Sequence, residues 1–174
     1  MLTVLRHLLS ILLLPFIVVV IVPALILLFW ETDGNFWGMG SPLVWLGRIA
    51  GFVLGVAGLV LIGWCISLFA RKGRGTLAPW DPPRNMVVSE PYQYVRNPMI
   101  VSGFVMVLGE ALFWGSWRIA AWACFFLVMN HFYFVLSEEP GLEKRFGESY
   151  RVYKANVPRW IPRFRPWTGN QKDG

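Results

Sequence analysis

The sequence predicts an all-α integral membrane protein: four transmembrane helices with a C-terminal amphipathic helical cap on the cytoplasmic side. Three observations predict it. Hydrophobic residues make up 56% of the 174 and charged residues only 15%, whereas soluble domains carry about 25% charged residues. The apolar residues are gathered into long runs at 8–30, 43–70, 98–115 and 118–137. The basic residues cluster in two segments, 71–97 and the tail after residue 138.

The elements follow in order. The runs 8–30 and 43–70 are each long enough to cross about 30 Å of hydrocarbon at about 1.5 Å per residue. The first is too long for a signal peptide and no small-residue cleavage site follows, so it reads as an uncleaved helix. Pro15 and Pro23 are expected to kink it. In the second, Gly47, Gly51 and Gly55 recur every four residues on one face, with Gly58 and Gly63 beyond, a pattern that lets another helix approach closely. Residues 1–70 therefore read as a two-span scaffold.

Residues 71–97 read as a linker. Gly73-Arg74-Gly75-Thr76 and Pro79-Trp80-Asp81-Pro82-Pro83 cannot form a regular helix, because proline fixes φ and removes donors. Irregular backbone belongs at the interface rather than in lipid, and Trp80, Tyr92 and Tyr94 suit the headgroup level. Asn97 before Pro98 is the expected N-cap of the next helix. Residues 98–137 form a hairpin turning at Gly115-Ser116-Trp117, and its second helix is expected to end at Glu138-Glu139-Pro140. In the tail, 138–174, the residues Leu142, Phe146, Tyr150, Tyr153 and Val157 recur at helical spacing, predicting one amphipathic helix over 141–157. Such a helix lies on the membrane or caps the bundle, and Pro158 and Pro162 end it.

Charge sets the orientation. The linker carries Arg71, Lys72, Arg74, Arg84 and Arg96, and the tail carries a further eight basic residues, whereas loop 31–42 has none and holds Glu31 and Asp33. The positive-inside bias places both termini and the linker in the cytoplasm. The net charge of +6 is then explained by anionic lipid headgroups, with no nucleic-acid partner. Cys65 and Cys124 lack disulfide or metal-ligand spacing and read as small hydrophobes; no metal site is expected.

Reflection about a turn near Ser116 places His131 opposite Ser102 and Gly103, and brings Glu138 and Glu139 to the Arg96-Asn97-Pro98 cluster. Glu110 falls nearer the turn. Ionisable groups inside spans mark functional sites, and an arginine, an amide and two carboxylates beside an apolar bundle suit a charged cofactor meeting a lipid-like substrate. Structural alternatives stand beside each: Arg96 as a phosphate-snorkelling residue, Glu138 and Glu139 as a solvated helix end, His131 in an interhelical hydrogen bond, and Glu110 in a pairing role.

Pro91-Tyr92-Gln93-Tyr94-Val95-Arg96-Asn97-Pro98-Met99, with His131, Glu138-Glu139-Pro140, Phe146-Gly147-Glu148-Ser149-Tyr150-Arg151-Val152-Tyr153 and Val157-Pro158-Arg159-Trp160-Ile161-Pro162-Arg163, resembles the isoprenylcysteine carboxyl methyltransferase family and the related phospholipid N-methyltransferases over about residues 75–163. Asn97, Ile100 and Ser102 stand where many members have histidine, tyrosine and glycine. The resemblance implies a membrane enzyme that uses S-adenosylmethionine to methylate a lipophilic acceptor, a lipid amine or carboxylate, entering from the bilayer. Carried over, the cofactor residues are Arg96, Asn97, Pro98, Gly103, His131, Glu138 and Glu139. Tyr94, Trp80, Trp160 and Phe146 are candidates to flank its adenine or sulfonium. Arg96 is the candidate to orient a carboxylate acceptor, and His131 or Glu110 the candidate base for an amine. Two other readings stand beside this one, a nicotinamide-dependent membrane reductase of related architecture and a non-catalytic membrane scaffold.

Overall fold

The computed structural model describes residues 15–30, 41–72, 86 and 88–169. Loop 31–40 and residues 73–85, with Trp80, Arg74 and Arg84, lie outside the described residues. Among the described residues every regular element is helical: α1 (Ile17–Trp30), α2 (Ser41–Lys72), α3 (Pro98–Trp114), α4 (Trp117–Tyr133), a π-helical turn (Phe134–Glu138), α5 (Glu139–Phe146) and α6 (Glu148–Asn156). Two stretches are long and apolar enough to cross a membrane, Pro42–Leu68 and Trp117–Phe146; Ile17–Trp30 and Pro98–Trp114 are shorter apolar helices.

The α3–α4 hairpin forms where the sequence predicts it. Gly115 closes α3 in the left-handed region, φ 68°, which costs a glycine little. Ser116 then caps α4, its Oγ accepting from Ile119 N–H at 3.2 Å. Val107 and Ala111 on α3 meet Ile119 and Ala123 on α4 in a fully buried cluster, with Val19 of α1 against it.

Of the predicted glycine face, Gly51 packs tightly within the molecule, as does Gly58 beyond it, whereas a Cβ on Gly55 would meet nothing within 4 Å. A Cβ on Gly51 would strike Gly109 O and Phe113 N, and one on Gly109 would meet Gly51 O at 2.7 Å and Gly55 N at 2.9 Å. A Cβ on Gly58 would likewise strike the Met106 side chain and the carbonyl of Ser102. Residue numbers rise on α2 as they fall on α3, so the pair is antiparallel, with backbones nearly touching where side chains are missing.

Two expectations in the second half are corrected. Glu138-Glu139-Pro140 does not end the fourth helix; the chain continues helically to Phe146. Pro140 has no N–H to give and its ring crowds the carbonyl four residues back, and the preceding turn opens into π geometry, with Glu139 N–H donating to Phe134 O. The same device precedes Pro23: Ile17–Ile21 is π-helical and Val22 N–H donates to Ile17 O. Each proline is absorbed by a widened turn two residues before it.

The predicted single helix 141–157 is two helices, broken at Gly147, whose φ of 56° and ψ of −130° belong to glycine alone. Its apolar stripe nevertheless forms one core: Tyr150, Tyr153 and Val157 are buried, with Leu142, Phe146 and Trp167 against them. Cys65 is buried and Cys124 exposed, both as free thiols.

Candidate active site

The site forms where the tail returns to the start of α3. Val157 is extended, and the prolines at 158 and 162 keep the following chain out of a helix, so its backbone groups need partners elsewhere. Residues 93–96 supply them. Arg96 N–H donates to Pro158 O at 2.9 Å, Arg163 N–H to Tyr94 O at 3.0 Å, and Trp167 N–H to Gln93 O at 3.0 Å. The Tyr153 hydroxyl donates to Tyr92 O at 2.8 Å.

This docking carries side chains with it. Glu139, with 4% of its side chain exposed, accepts through Oε1 from Arg96 NH1 at 2.9 Å and Arg159 Nε at 2.6 Å; Lys154 Nζ lies 3.1 Å from Oε2. Lys154 also reaches Glu143 at 2.7 Å. Three cations therefore share two carboxylates, leaving one positive charge in excess. Hydrogen bonds to Glu143 and then Glu139 push the Lys154 ammonium above the ordinary lysine range. Burial raises the phenols of Tyr150 and Tyr153, so both stand beside the cluster as neutral hydroxyls. The Nε of Arg96 is buried and has no acceptor.

His131 lies against the same strand of tail. Trp160 Nε1 donates to its Nδ1 at 3.1 Å, and Arg159 NH1 sits 3.4 Å from that nitrogen. An indole N–H only donates, so Nδ1 is the acceptor and the ring hydrogen lies on Nε2. Phe134 packs edge-on to Trp160, centroids 6.0 Å apart.

The sequence-predicted residues divide into groups. Arg96 and Glu139 meet directly, and His131 joins them through Arg159. Glu138 is adjacent to Glu139 in the chain but faces the Tyr133 hydroxyl at 3.4 Å, and among the described residues it shares none of the cations that hold Glu139. Tyr94 joins through its carbonyl. Asn97 occupies the N-cap position of α3, but its side chain makes no capping hydrogen bond; Pro98 follows it, buried in the first turn.

Gly103 packs against Phe126 of α4, where a Cβ would lie 3.4 Å from the ring. That pairing is shifted by about one helical turn from reflection about Ser116. Glu110 is not brought to the cluster. It stands fourteen residues beyond Arg96, about 20 Å along the axis.

Arg159 and Lys154 are the members that sequence reasoning did not single out for Glu139. The signal for Arg159 lay in the extended Val157-Pro158-Arg159 segment, whose unpaired backbone required a docking surface; Lys154 lies on α6.

The phospholipid methyltransferase family matches residues 46–149. Over 73 residues the chain is 36% identical to the protein-S-isoprenylcysteine O-methyltransferase of Schizosaccharomyces pombe, covering 41% of this chain and 30% of that protein. It is 37% identical over 68 residues to an uncharacterized protein of Haemophilus influenzae, covering 39% of this chain and 98% of that one. No solved structure matches. The family match takes in α3, α4, the π-turn and α5, with most of α2, so Arg96, His131 and Glu139 all fall within it, and the chain belongs to the phospholipid methyltransferase family.

Proposed function

We propose that the chain is an S-adenosylmethionine-dependent membrane methyltransferase acting on a lipophilic acceptor at the junction of α3, the π-turn and the tail. The observation that carries the reading is the Arg96 cluster: a buried network with an excess positive charge and a guanidinium Nε–H still lacking an acceptor. An arginine donor in low dielectric seeks a carboxylate or phosphate oxygen. Arg96 and Arg159 suit the cofactor's carboxylate, Glu138 its ammonium or ribose hydroxyls, and Trp160 with Tyr94 its flat or cationic parts. When bound, the cofactor supplies an electrophilic methyl group on a sulfonium.

The chain's own residues align the acceptor and exclude water. His131, with Nδ1 taken by Trp160, offers Nε2–H as a hydrogen-bond donor rather than a base. That favours an acceptor already carrying its nucleophilic lone pair, a lipid carboxylate, over an ammonium that must first lose a proton. The Schizosaccharomyces pombe relative is by name an O-methyltransferase, in keeping with this choice. In the same reading α1 to α4 are four spans, both termini and 71–97 are cytoplasmic, and residues 138–174 form the cofactor-binding cap. Cysteines introduced at Phe36 and Trp80 would then label from opposite sides of sealed vesicles; labelling from one side refutes that topology.

The activity is tested by titrating the purified full chain with S-adenosylmethionine, S-adenosylhomocysteine and NADPH. Binding of the first two, weakened at least about tenfold in Arg96→Ala by loss of a charge-assisted hydrogen bond, is the expected result. Binding of NADPH alone would point to a reductase, and no binding to a scaffold. Radiolabelled methyl transfer into a lipid extract then separates base-labile esters from stable methylamines.

A further inference from the structure

Two glutamates that are neighbours in the chain are placed differently. Glu139 is buried and holds Arg96, Arg159 and Lys154, whereas Glu138 meets the Tyr133 hydroxyl in an exposed contact. Which of the two turns inward follows from the geometry of a single turn.

His131, Phe134 and Glu139 lie on one uninterrupted helical stretch, and all three meet the same piece of tail. Arg159 reaches Glu139 Oε1 at 2.6 Å and His131 Nδ1 at 3.4 Å. Trp160 packs on the rings of His131 and Phe134, with centroids 6.3 and 6.0 Å apart. In an α-helix, positions i, i+4 and i+7 share a face. Counted from Phe134, the i+4 residue is Glu138; counted from His131, the i+7 residue is again Glu138. An unbroken α-helix would therefore present Glu138 to Arg159 and turn Glu139 away by about 100°. A π-turn bonds i to i+5 and so takes in one extra residue. Here Glu139 N–H donates to Phe134 O, and the inward face passes from Glu138 to Glu139.

Pro140 holds that turn open. In the α register residue 140 would give its N–H to Leu136 O; proline has none to give, and its ring crowds the same carbonyl. Leu136 itself is 74% exposed, so its side chain does little to fix the turn by packing. We propose that Pro140 is a positioning residue: by keeping the π-turn open, it selects which of two adjacent carboxylates enters the Arg96 cluster and which faces outward. The selection stands on helix geometry. Use of the outward carboxylate for a cofactor's ammonium or ribose hydroxyls rests on the methyltransferase reading.

A proline with a merely structural role would cost stability when replaced but leave Glu139 the sensitive position. The full chain in detergent is therefore followed by chemical denaturation in three backgrounds. In the unaltered chain, Glu139→Ala is expected to lower the midpoint and Glu138→Ala to leave it nearly unchanged. In Pro140→Ala, where the N–H to Leu136 O is restored, the two effects are expected to exchange. Deleting Leu136 as well removes the extra residue from what is then an α-helix, and the sensitivity should return to Glu139. If Pro140→Ala alone does not fold, a cooperative melt restored by the deletion, with Glu139 again sensitive, supports the proposal.

Glu139 remaining the sensitive position in Pro140→Ala would overturn it, as would sensitivity that the deletion does not return. Failure of both backgrounds to melt cooperatively would overturn it too, since no exchange of carboxylates then takes place. S-adenosylhomocysteine tests the cofactor reading separately. Its affinity is expected to fall about tenfold on loss of the outward carboxylate, Glu138 in the unaltered chain and Glu139 in Pro140→Ala. An exchange in stability without any binding of this ligand would leave the selection standing and sink the cofactor reading alone.

Discussion

The two ends of α3 are held by opposite physics. Toward its C-terminal end, α3 meets α2 across a seam in which Gly51 and Gly109 bring backbone against backbone, and fit is set by the absence of side chains. At its N-terminus, Arg96 is tied through Glu139 to Arg159 and Lys154 by ion pairs between residues 15 to 43 apart in the chain. Dispersion in the seam is rigid and indifferent to chemistry. The charge network is the reverse, since each member is stable only while the others are present. In the proposed reading, a charged cofactor enters at one end without loosening the packing at the other, because the two mechanisms are kept apart.

The comparison breaks most visibly at Glu139. Replacing it with alanine leaves Arg96 and Arg159 in a largely buried pocket without their shared carboxylate, and removing one partner of a buried pair costs about 3–5 kcal/mol. Chemical denaturation in detergent should show that loss, and a drop below about 1 kcal/mol would mean the network is effectively solvated. The exposed pair Arg151–Glu148, 64% and 76% accessible, is the internal control and should contribute almost nothing.

Next in size is the seam. Gly109→Val forces a Cβ into Gly51 O and Gly55 N, and overpacking of this kind costs about 1–3 kcal/mol. Gly63→Ala, where a Cβ meets nothing, should be neutral or stabilising by up to about 1 kcal/mol. Equal effects at both positions would show that the seam is looser than its distances imply.

Gly147→Ala falls between the two mechanisms, because it touches no ion pair and no seam. It places a Cβ at φ 56°, ψ −130°, a conformation costing a residue with a side chain about 1–3 kcal/mol. Weaker tail docking, read as faster proteolysis after residue 147, is the expected sign; an unchanged cleavage rate would mean the tail is anchored by its backbone pairing alone.

The smallest effect sharpens the description of His131. Trp160→Phe removes one neutral hydrogen bond, about 0.5–1.5 kcal/mol, and releases Nδ1. Nitrogen-15 shifts of the His131 ring should move away from the Nε2–H tautomer in the variant. An unshifted ring would show that Arg159, not Trp160, sets the tautomer.

The apolar half of this architecture was open to reading from the chain because its rules are local. Gly115-Ser116 is a helix stop followed by a cap, and the stripe from Leu142 to Val157 is a period, so both emerged where expected. The glycine face on α2 showed that something packs there, though only the fold shows that α3 does. The continuation of α4 past Pro140 was hidden because a π-turn is a compromise between proline and tertiary packing, with no residue pattern of its own. Arg96 and Glu139 were paired correctly by reflection. Arg159 escaped, because an extended, proline-bounded tail has no periodicity to say which side chain turns inward, and Lys154 escaped because it lies on α6 outside the apolar stripe that marks the buried face.

The uninterrupted stretch from Trp117 to Phe146 is 30 residues, about 45 Å of helix, against a hydrocarbon core of about 30 Å. Roughly a third of it must therefore stand clear of the oil, or the rod must tilt steeply. In the proposed topology Glu138 and Glu139 sit on that surplus length. Their height above the acyl chains is set by counting turns of a stiff rod, not by the reach of a loop, and a single inserted or deleted helical turn in α4 would raise or sink the carboxylates by about 5.4 Å.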